Sequence, residues 1–354
     1  MKMARGATSR PTPILDRDGV PFHYSLVDLL LEATSRVDRD ASGRIEIGDE
    51  VANSENRDRY IVSSLIEEAA SSSILEGAAT TVQRARQMIR SGEEPRDRGE
   101  RMILNNYMGM RRIQELAEEK LTPQIIFELH RILTEETLED PGAAGRLRRP
   151  GKPEDEVEVV VTDRRDGTTL HIPPKASELP DRLERMCAFA NAEENETYFH
   201  PVLRAILLHF WLAYDHPFTD GNGRTARALF YWSMLRQGYW LTSFLSISSI
   251  LRRSPARYAR SFLYSETDDN DLTYFVLDQL QVLRQAIDAL HDYLARKTRE
   301  IRTVERLLRP SAGMNHRQLA LLAHALRHPG GRYTYESHQS SHEIVYQTAR
   351  TDLL

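Results

Sequence analysis

The 354-residue sequence holds one cysteine, Cys187. No internal disulfide can form, and a reducing compartment is the expected setting. Its neighbours, Arg-Met-Cys-Ala-Phe, place it on an apolar helix face, which suits a buried structural thiol better than a nucleophile. Long apolar runs are also lacking: no stretch approaches the roughly 18 uncharged residues of a membrane-spanning helix. Met1 to Gly19 is polar, with arginine and proline and no apolar core of a signal peptide. A cytoplasmic protein with no membrane partner is the expectation. Neither charge sign dominates: 47 Lys and Arg stand against 52 Asp and Glu, a net −5. That balance excludes a globally basic nucleic-acid binder but leaves room for a local basic patch.

Helical periodicity is abundant and strand signals are few, which predicts a mainly α fold. Pro11, Pro13 and Pro21 suggest an irregular N-terminal arm. Ser25–Val37 reads as a first helix, and the spacing of Ile61, Leu65 and Ala69 as another from about Arg57, stopped near Gly77. Helices are expected over Met102–Ala117 and Pro123–Thr134, the latter with Thr122 as N-cap and Pro123 in its first position. The one clear hairpin spans 157–172, with a turn at Asp166-Gly167. Ser177 is read as the cap of a helix covering Cys187, and Pro201 opens a helix whose apolar face includes His209, a packed residue. Another helix is expected from Thr225 to Arg236, and a longer one along Val276 to Leu294.

Beyond Arg309-Pro310 the pattern is a helix at 315–327, a brief extended stretch at Tyr333–Tyr335, and two short helices. This is the order of a winged helix-turn-helix with Val345–Leu354 in the recognition position and no room for a wing. Arg327, Arg332 and Arg350 are available to phosphates, and Gln347 and Thr348 to bases. Docking of a protein on this module is an equal alternative. The resulting partition is 1–54 (arm and first helix), 55–120 (helical region), 121–308 (core with the hairpin 157–172) and 309–354 (terminal module).

Residues 216–227, His-Pro-Phe-Thr-Asp-Gly-Asn-Gly-Arg-Thr-Ala-Arg, concentrate the chemistry. His216 can act as a base near neutral pH. Asp220 suits a hard cation such as Mg²⁺ bridging phosphates. Gly221 and Gly223 flank Asn222 where backbone amides can turn toward an anion at a helix N-terminus. Arg224 and Arg227 add fixed positive charge with planar donors. The set suits displacement at a nucleotide phosphate by positioning, charge neutralisation and one base.

This run resembles the motif of the Fic family: His-Pro-Phe, any residue, Asp or Glu, Gly-Asn-Gly-Arg, two residues, Arg. Ala144–Arg148 and the 157–172 hairpin resemble the segment before the family's flap and the flap itself, and the likeness covers roughly residues 55–300. It implies a Fic helical core with a β-hairpin flap and transfer of AMP from ATP, with Mg²⁺, to Ser, Thr or Tyr hydroxyls of a target protein. By the same likeness His216 is the general base and Asp220 the metal ligand. Gly221, Asn222 and Gly223 form the anion hole, and Arg224 and Arg227 hold the distal phosphates. The phosphate-transferring, Doc-like branch carries Lys where this chain has Gly223, which weighs against kinase chemistry. The flap's edge is expected to register a target segment by main-chain hydrogen bonds. Tyr258 and the stretch 264–271 resemble the lining of the base pocket, without assigned contacts.

Upstream, Ser72-Ser73-Ile74-Leu75-Glu76-Gly77 resembles the family's inhibitory motif, placed N-terminal to the core as in its second class. The likeness implies that Ser72 and Glu76 are inhibitory residues, the Glu76 carboxylate occupying Arg227 and holding the enzyme off. Removal of AMP, transfer of UMP or phosphocholine, self-modification, a homodimer and a DNA-binding regulator built on the terminal module remain open alternatives.

Overall fold

A computed structural model describes residues 9–42, 54–149, 161–162, 167, 169–192, 197–308, 314–327, 333–342 and 344–354. The chain divides into two compact units, residues 1–45 with 54–288 and residues 46–53 with 289–354.

The larger unit opens with an antiparallel hairpin where an irregular arm was expected: β1 (Ser9–Leu15) pairs with β2 (Pro21–Ser25). Alternation encodes it, since Thr12, Ile14, Phe22 and Tyr24 are buried while Pro11, Pro13, Pro21 and His23 between and beside them are more exposed. Pro11 and Pro13 are tolerated because β1 is an edge strand, whereas β2 is bonded on its other side, His23 N–H donating to Asn270 O at 3.0 Å and Leu272 N–H to His23 O at 2.7 Å. Phe22 packs edge-on against Phe210 and Tyr214, at ring-centroid distances of 5.2 and 5.0 Å, so the hairpin clips onto the centre of the unit. Because Ser25 ends β2, helix α1 starts three residues later than expected, at Asp28–Val37.

Helix α2 (Ser54–Leu75) ends as Gly77 foretells. Gly77 takes φ +101°, its N–H donates to Ile74 O at 3.0 Å, and Ala78 N–H donates to Ser73 O at 2.9 Å. That is the Schellman pattern, and it puts Glu76 at the helix C-cap. An unexpected short helix follows, α3 (Val82–Ser91), capped by Thr81. Then come α4 (Arg98–Glu115), which Asp97 starts four residues earlier than expected, and α5 (Pro123–Thr134) with Thr122 capping Ile125 N–H. Ala69, Ala70, Ala85, Met88 and Ile103 form one core cluster joining α2, α3 and α4.

Of the hairpin expected at 157–172, the described part is β3 (Val161–Thr162) antiparallel to β4 (Thr169–His171); residues 157–160 lie outside the described residues. Helix α6 (Leu179–Ala190) follows a 3₁₀ turn. Ser177 falls inside that turn and caps nothing, because the N-cap is Glu178 and makes no side-chain bond. Cys187 is a buried thiol.

Helices α7 (Pro201–Asp215) and α8 (Asn222–Arg236) are buried on nearly every side and pack against each other at the centre of the unit. The short α9 (Ile247–Leu251), α10 (Pro255–Thr267) and the long α11 (Thr273–Leu308) complete it, with α11 running into the second unit.

In the second unit α12 (His316–Arg327), α13 (Tyr335–His342) and α14 (Tyr346–Leu353) gather around one carboxylate. Asp352 accepts from Arg317 Nε at 2.6 Å and Asn315 Nδ2 at 2.7 Å, and His338 Nε2 lies 3.2 Å away. These bonds, Arg317 foremost, hold its pKa well below the usual carboxylate value. Tyr335 belongs to α13 rather than to an extended stretch, because Thr334 Oγ1 accepts Ser337 N–H and starts the helix.

Among the described residues no helix is long and apolar enough to cross a membrane.

Candidate functional site

The loop 216–221 joins the two central helices, and several distant residues fasten it. His216 ends α7 in the left-handed conformation, φ +45°, with its N–H bonded to Leu212 O. Arg148 holds the next turn: its N–H donates to Pro217 O, its Nε to His216 O at 2.9 Å, and its other nitrogen to Pro174 O. Phe218 is fully buried and stacks on His130, with ring centroids 3.7 Å apart. Asn222 Oδ1 accepts Phe218 N–H at 2.9 Å while its Nδ2 donates to Phe218 O at 2.8 Å. The Asn222 side chain is therefore consumed in tying the loop, and only its backbone remains for a ligand.

Helix α8 begins at Asn222, three residues earlier than expected, so Gly223 and Arg224 already lie in its first turn. Gly221 precedes it at φ +83°, and a Cβ there would meet Thr134 Cγ2 at 2.6 Å. His130 explains the close approach. Its Nδ1 accepts Gly145 N–H at 2.8 Å, so the proton sits on Nε2, which donates to Asp220 O at 2.9 Å. Burial holds this ring near pKa 4, in the neutral form the two bonds require.

The half-buried His216 ring has Nδ1 3.4 Å from Ala213 O, which leaves Nε2 as the basic nitrogen. Burial again lowers its pKa, to about 4, so the ring is a neutral base at pH 7. Asp220 is about half exposed; its Oδ1 accepts Gly221 N–H at 2.6 Å and its Oδ2 faces Arg98 at 3.2 Å. Among the described residues no three His, Cys, Asp or Glu side chains cluster to hold a metal. A single carboxylate is nevertheless what Mg²⁺ needs from the protein when phosphates and water complete its shell, and Asp220 fits that demand.

Both arginines of the motif are buried. Arg224 donates to Leu133 O at 2.5 Å; among the described residues its Nε and second terminal nitrogen have no hydrogen-bond partner, the latter lying 4.0 Å from Asp220 Oδ1. Arg227 donates from Nε to Ser72 Oγ at 2.9 Å and from one terminal nitrogen to Glu76 Oε1 at 2.9 Å and to Ser72 O at 3.2 Å. Its other terminal nitrogen has no hydrogen-bond partner among the described residues. Burial opposes Arg227's charge, and Glu76, with Tyr258 and Glu68, more than offsets that, leaving its pKa raised. Three buried guanidinium nitrogens on the two cations, without hydrogen-bond acceptors among the described residues, are donors an anion would satisfy.

A cavity of about 470 Å³ is lined by Glu76, His216, Gly223 and Arg227. His171, Tyr258, Phe262 and Leu263 line it too. Tyr258 OH meets His209 Nε2 at 2.8 Å, so the fully buried His209 supports the cavity wall from behind. Its pKa is pushed down by burial to about 3.

Sequence reasoning missed several residues. His130, Arg148 and Arg98 reach the loop from 68 to 122 positions away. Asp215, fully buried next to His216, pairs with Arg182 at 3.2 Å and Trp211 Nε1 at 3.0 Å; burial raises its pKa to about 7. His171 on β4 bridges Glu266 and Tyr214 O, each at 2.7 Å. Glu68 on α2 is buried and accepts from Ser248 N–H, Ser248 Oγ and Ser246 Oγ at the start of α9, which anchors the helix that carries Glu76. A buried acidic residue one turn from Leu65 in an apolar stripe was the available signal for Glu68; the others carried none.

Residues 120–234 match the family model described as Fic/DOC family. The protein named "Protein adenylyltransferase Fic" of Drosophila mojavensis is 34% identical over 139 residues, 39% of this chain and 24% of that protein. The protein of that name from Nematostella vectensis is 29% identical over 180 residues, 51% of this chain and 36% of that protein. The chain thus spans well under half the length of the curated relatives it matches. Among solved structures, a Fic family protein from Desulfovibrio desulfuricans G20 superposes with a TM-score of 0.61 at 17% identity, covering 93% of this chain and 88% of that one. Fic-1 (residues 134–508) from C. elegans gives 0.53 at 20% identity, over 76% and 72%. These two likenesses bear on the fold, which is helical with a small hairpin. Residues 120–234 thus carry the match to the Fic/DOC family model.

Proposed function

We propose that the chain is a protein adenylyltransferase held in its off state by Glu76. The observation that carries the reading is the Glu76–Arg227 pair at 2.9 Å, formed inside the same cavity as His216, where one terminal nitrogen of Arg227 has no hydrogen-bond partner among the described residues. The α-phosphate of ATP would lie against the backbone N–H groups at the start of α8, with the distal phosphates on Arg224 and Arg227. Mg²⁺ held by Asp220 would neutralise charge on the phosphates. His216 Nε2 removes the proton of a Ser, Thr or Tyr hydroxyl as its oxygen bonds to the α-phosphorus. The bond from that phosphorus to the bridging oxygen breaks, and pyrophosphate leaves.

Glu76 opposes this by occupying the Arg227 nitrogen that a γ-phosphate requires, so ATP enters only in an unproductive pose. The names of the curated relatives support the AMP moiety. Removal of AMP, with Glu76 aligning a water, or transfer of UMP or phosphocholine would use the same loop.

Mass spectrometry of Glu76→Gly protein after incubation with ATP and Mg²⁺ tests the reading and reports moiety and acceptor together. Transfer should rise above wild type and vanish in Glu76→Gly/His216→Ala. Folded Glu76→Gly protein that transfers nothing from a panel of labelled nucleotides would overturn it.

A further inference from the structure

A second groove, of about 490 Å³, lies on another face of α10, between α1, α10 and the first part of α11. Its walls repeat at helical spacing. Leu29, Ala33 and Arg36 come from α1, and Arg257, Arg260 and Tyr264 from α10, each set at three- and four-residue intervals. On α11 the spacing continues through Tyr274, Leu277, Gln281 and Arg284. Three stripes of this kind facing one trough form the seat of a fourth, amphipathic helix.

The floor is apolar and open to water: Leu29 is 60% exposed, Tyr264 48% and Tyr274 36%. The rim is cationic. Arg36 is paired with Glu32 at 2.6 Å and Arg257 with Asp278 at 2.5 Å, whereas Arg260 and Arg284 make no ion pair or hydrogen bond among the described residues. Four arginines against two carboxylates leave this groove at +2 in a chain of net charge −5. The occupant that matches has apolar residues on one helix face and carboxylates flanking them.

Arg260 also lines the cavity that holds His216. A segment seated in the groove therefore adjoins the reaction site across a single side chain. We infer that the groove docks an acidic amphipathic helix of the protein that receives the nucleotide. The inference rests on the proposed transfer to a protein, but binding can be read without any transfer.

The test is fluorescence anisotropy of the full chain with a labelled peptide of roughly 18 residues, about 27 Å as a helix, with leucines on one face and glutamates on the other. The same peptide with lysine for glutamate is the control. The acidic peptide should bind saturably. Arg284→Glu and Leu29→Asp should each weaken it about tenfold, while Arg284→Lys and ATP binding stay near wild type. Equal binding by wild type and Arg284→Glu, no saturable binding, or preference for the lysine peptide, an anionic phospholipid vesicle or an oligonucleotide would overturn the inference. So would a concentration-dependent dimer abolished by Leu29→Asp, which would assign the groove to a second copy of this chain. Failure of Glu76→Gly to transfer nucleotide would leave these binding results intact, so the two failures are distinguishable.

Discussion

The carboxylate of Glu76 occupies the space that a side chain at Gly223 would need: Oε1 lies within 3.0 Å of the position of a Cβ there, while accepting from Arg227 at 2.9 Å. The glycine thus leaves room for a carboxylate as well as for a phosphate. Gly223→Ala should destabilise the protein by about 1–3 kcal/mol through this overlap, and the loss should largely disappear in the Glu76→Gly background. Thermal unfolding of the four proteins of that cycle checks it. An equal loss in both backgrounds would place the strain elsewhere.

Ser72 holds the other side of the same guanidinium. Removing its hydroxyl leaves the buried Arg227 Nε without its acceptor, a cost of about 1–3 kcal/mol. Ser72→Ala should therefore lower the melting temperature and loosen the clamp on Arg227. Nucleotide transfer should rise, though less than in Glu76→Gly. Initial rates of automodification measure it, and a rate at or below wild type would count against a clamping role for Ser72.

The pH profile follows from His216. With its pKa near 4 in the unliganded site, kcat/KM of Glu76→Gly protein should stay level from pH 8 to 6 and fall only below about 5. An acidic inflection at 6.5 or above would contradict a buried, neutral base.

Stability should show a related sign. Burial holds the folded pKa values of His130, His209 and His216 below the ordinary histidine value of 6.5. Between about pH 4 and 6.5 the unfolded chain therefore binds more protons than the native one, and stability falls as pH drops through that window. Asp215, raised to about 7, acts in the opposite direction from pH 7 down to its unfolded value near 3.8. Melting temperatures from pH 7 to 5 should fall less steeply in His209→Gln than in wild type. Parallel curves would show that His209 is not held neutral.

Asn222 closes the loop through two reciprocal bonds to Phe218. Asn222→Ala should reduce both kcat/KM and melting temperature. Asn222→Asp keeps the acceptor for Phe218 N–H but loses the donor, so it should lose less stability. Circular dichroism melts alongside transfer rates compare them, and an unchanged melt for Asn222→Ala would assign the asparagine to the ligand instead of the loop.

The parts of the site legible in the sequence are those whose partners are adjacent in the chain. His216, Asp220, Gly221 and the two arginines fall within twelve positions, and a loop entering a helix is a local event. The helices with a local start signal were equally readable, as Thr122-Pro123 shows for α5. The N-terminal hairpin was not, because its prolines argue against a strand until Phe22 is seen against Phe210 and Tyr214. Nor was His130, an ordinary residue of an apolar helix face until Asp220 O and Gly145 N–H meet its two nitrogens.

The sequence by itself determined which chemical groups stand at 216–227, and that Gly77 ends the helix leading to Glu76, because each depends on backbone preferences a few residues long. Only the tertiary structure decided how those groups are used. Whether Glu76 reaches Arg227 across 151 positions depends on how α2 packs, and Glu68 anchors that helix at the start of α9. The burial that silences Asn222's side chain, lowers the pKa of His216 and leaves guanidinium nitrogens unpartnered is likewise a property of the packed interior. Long-range contact, desolvation and unmet hydrogen bonds belong to the assembled core, and no window of the sequence contains them.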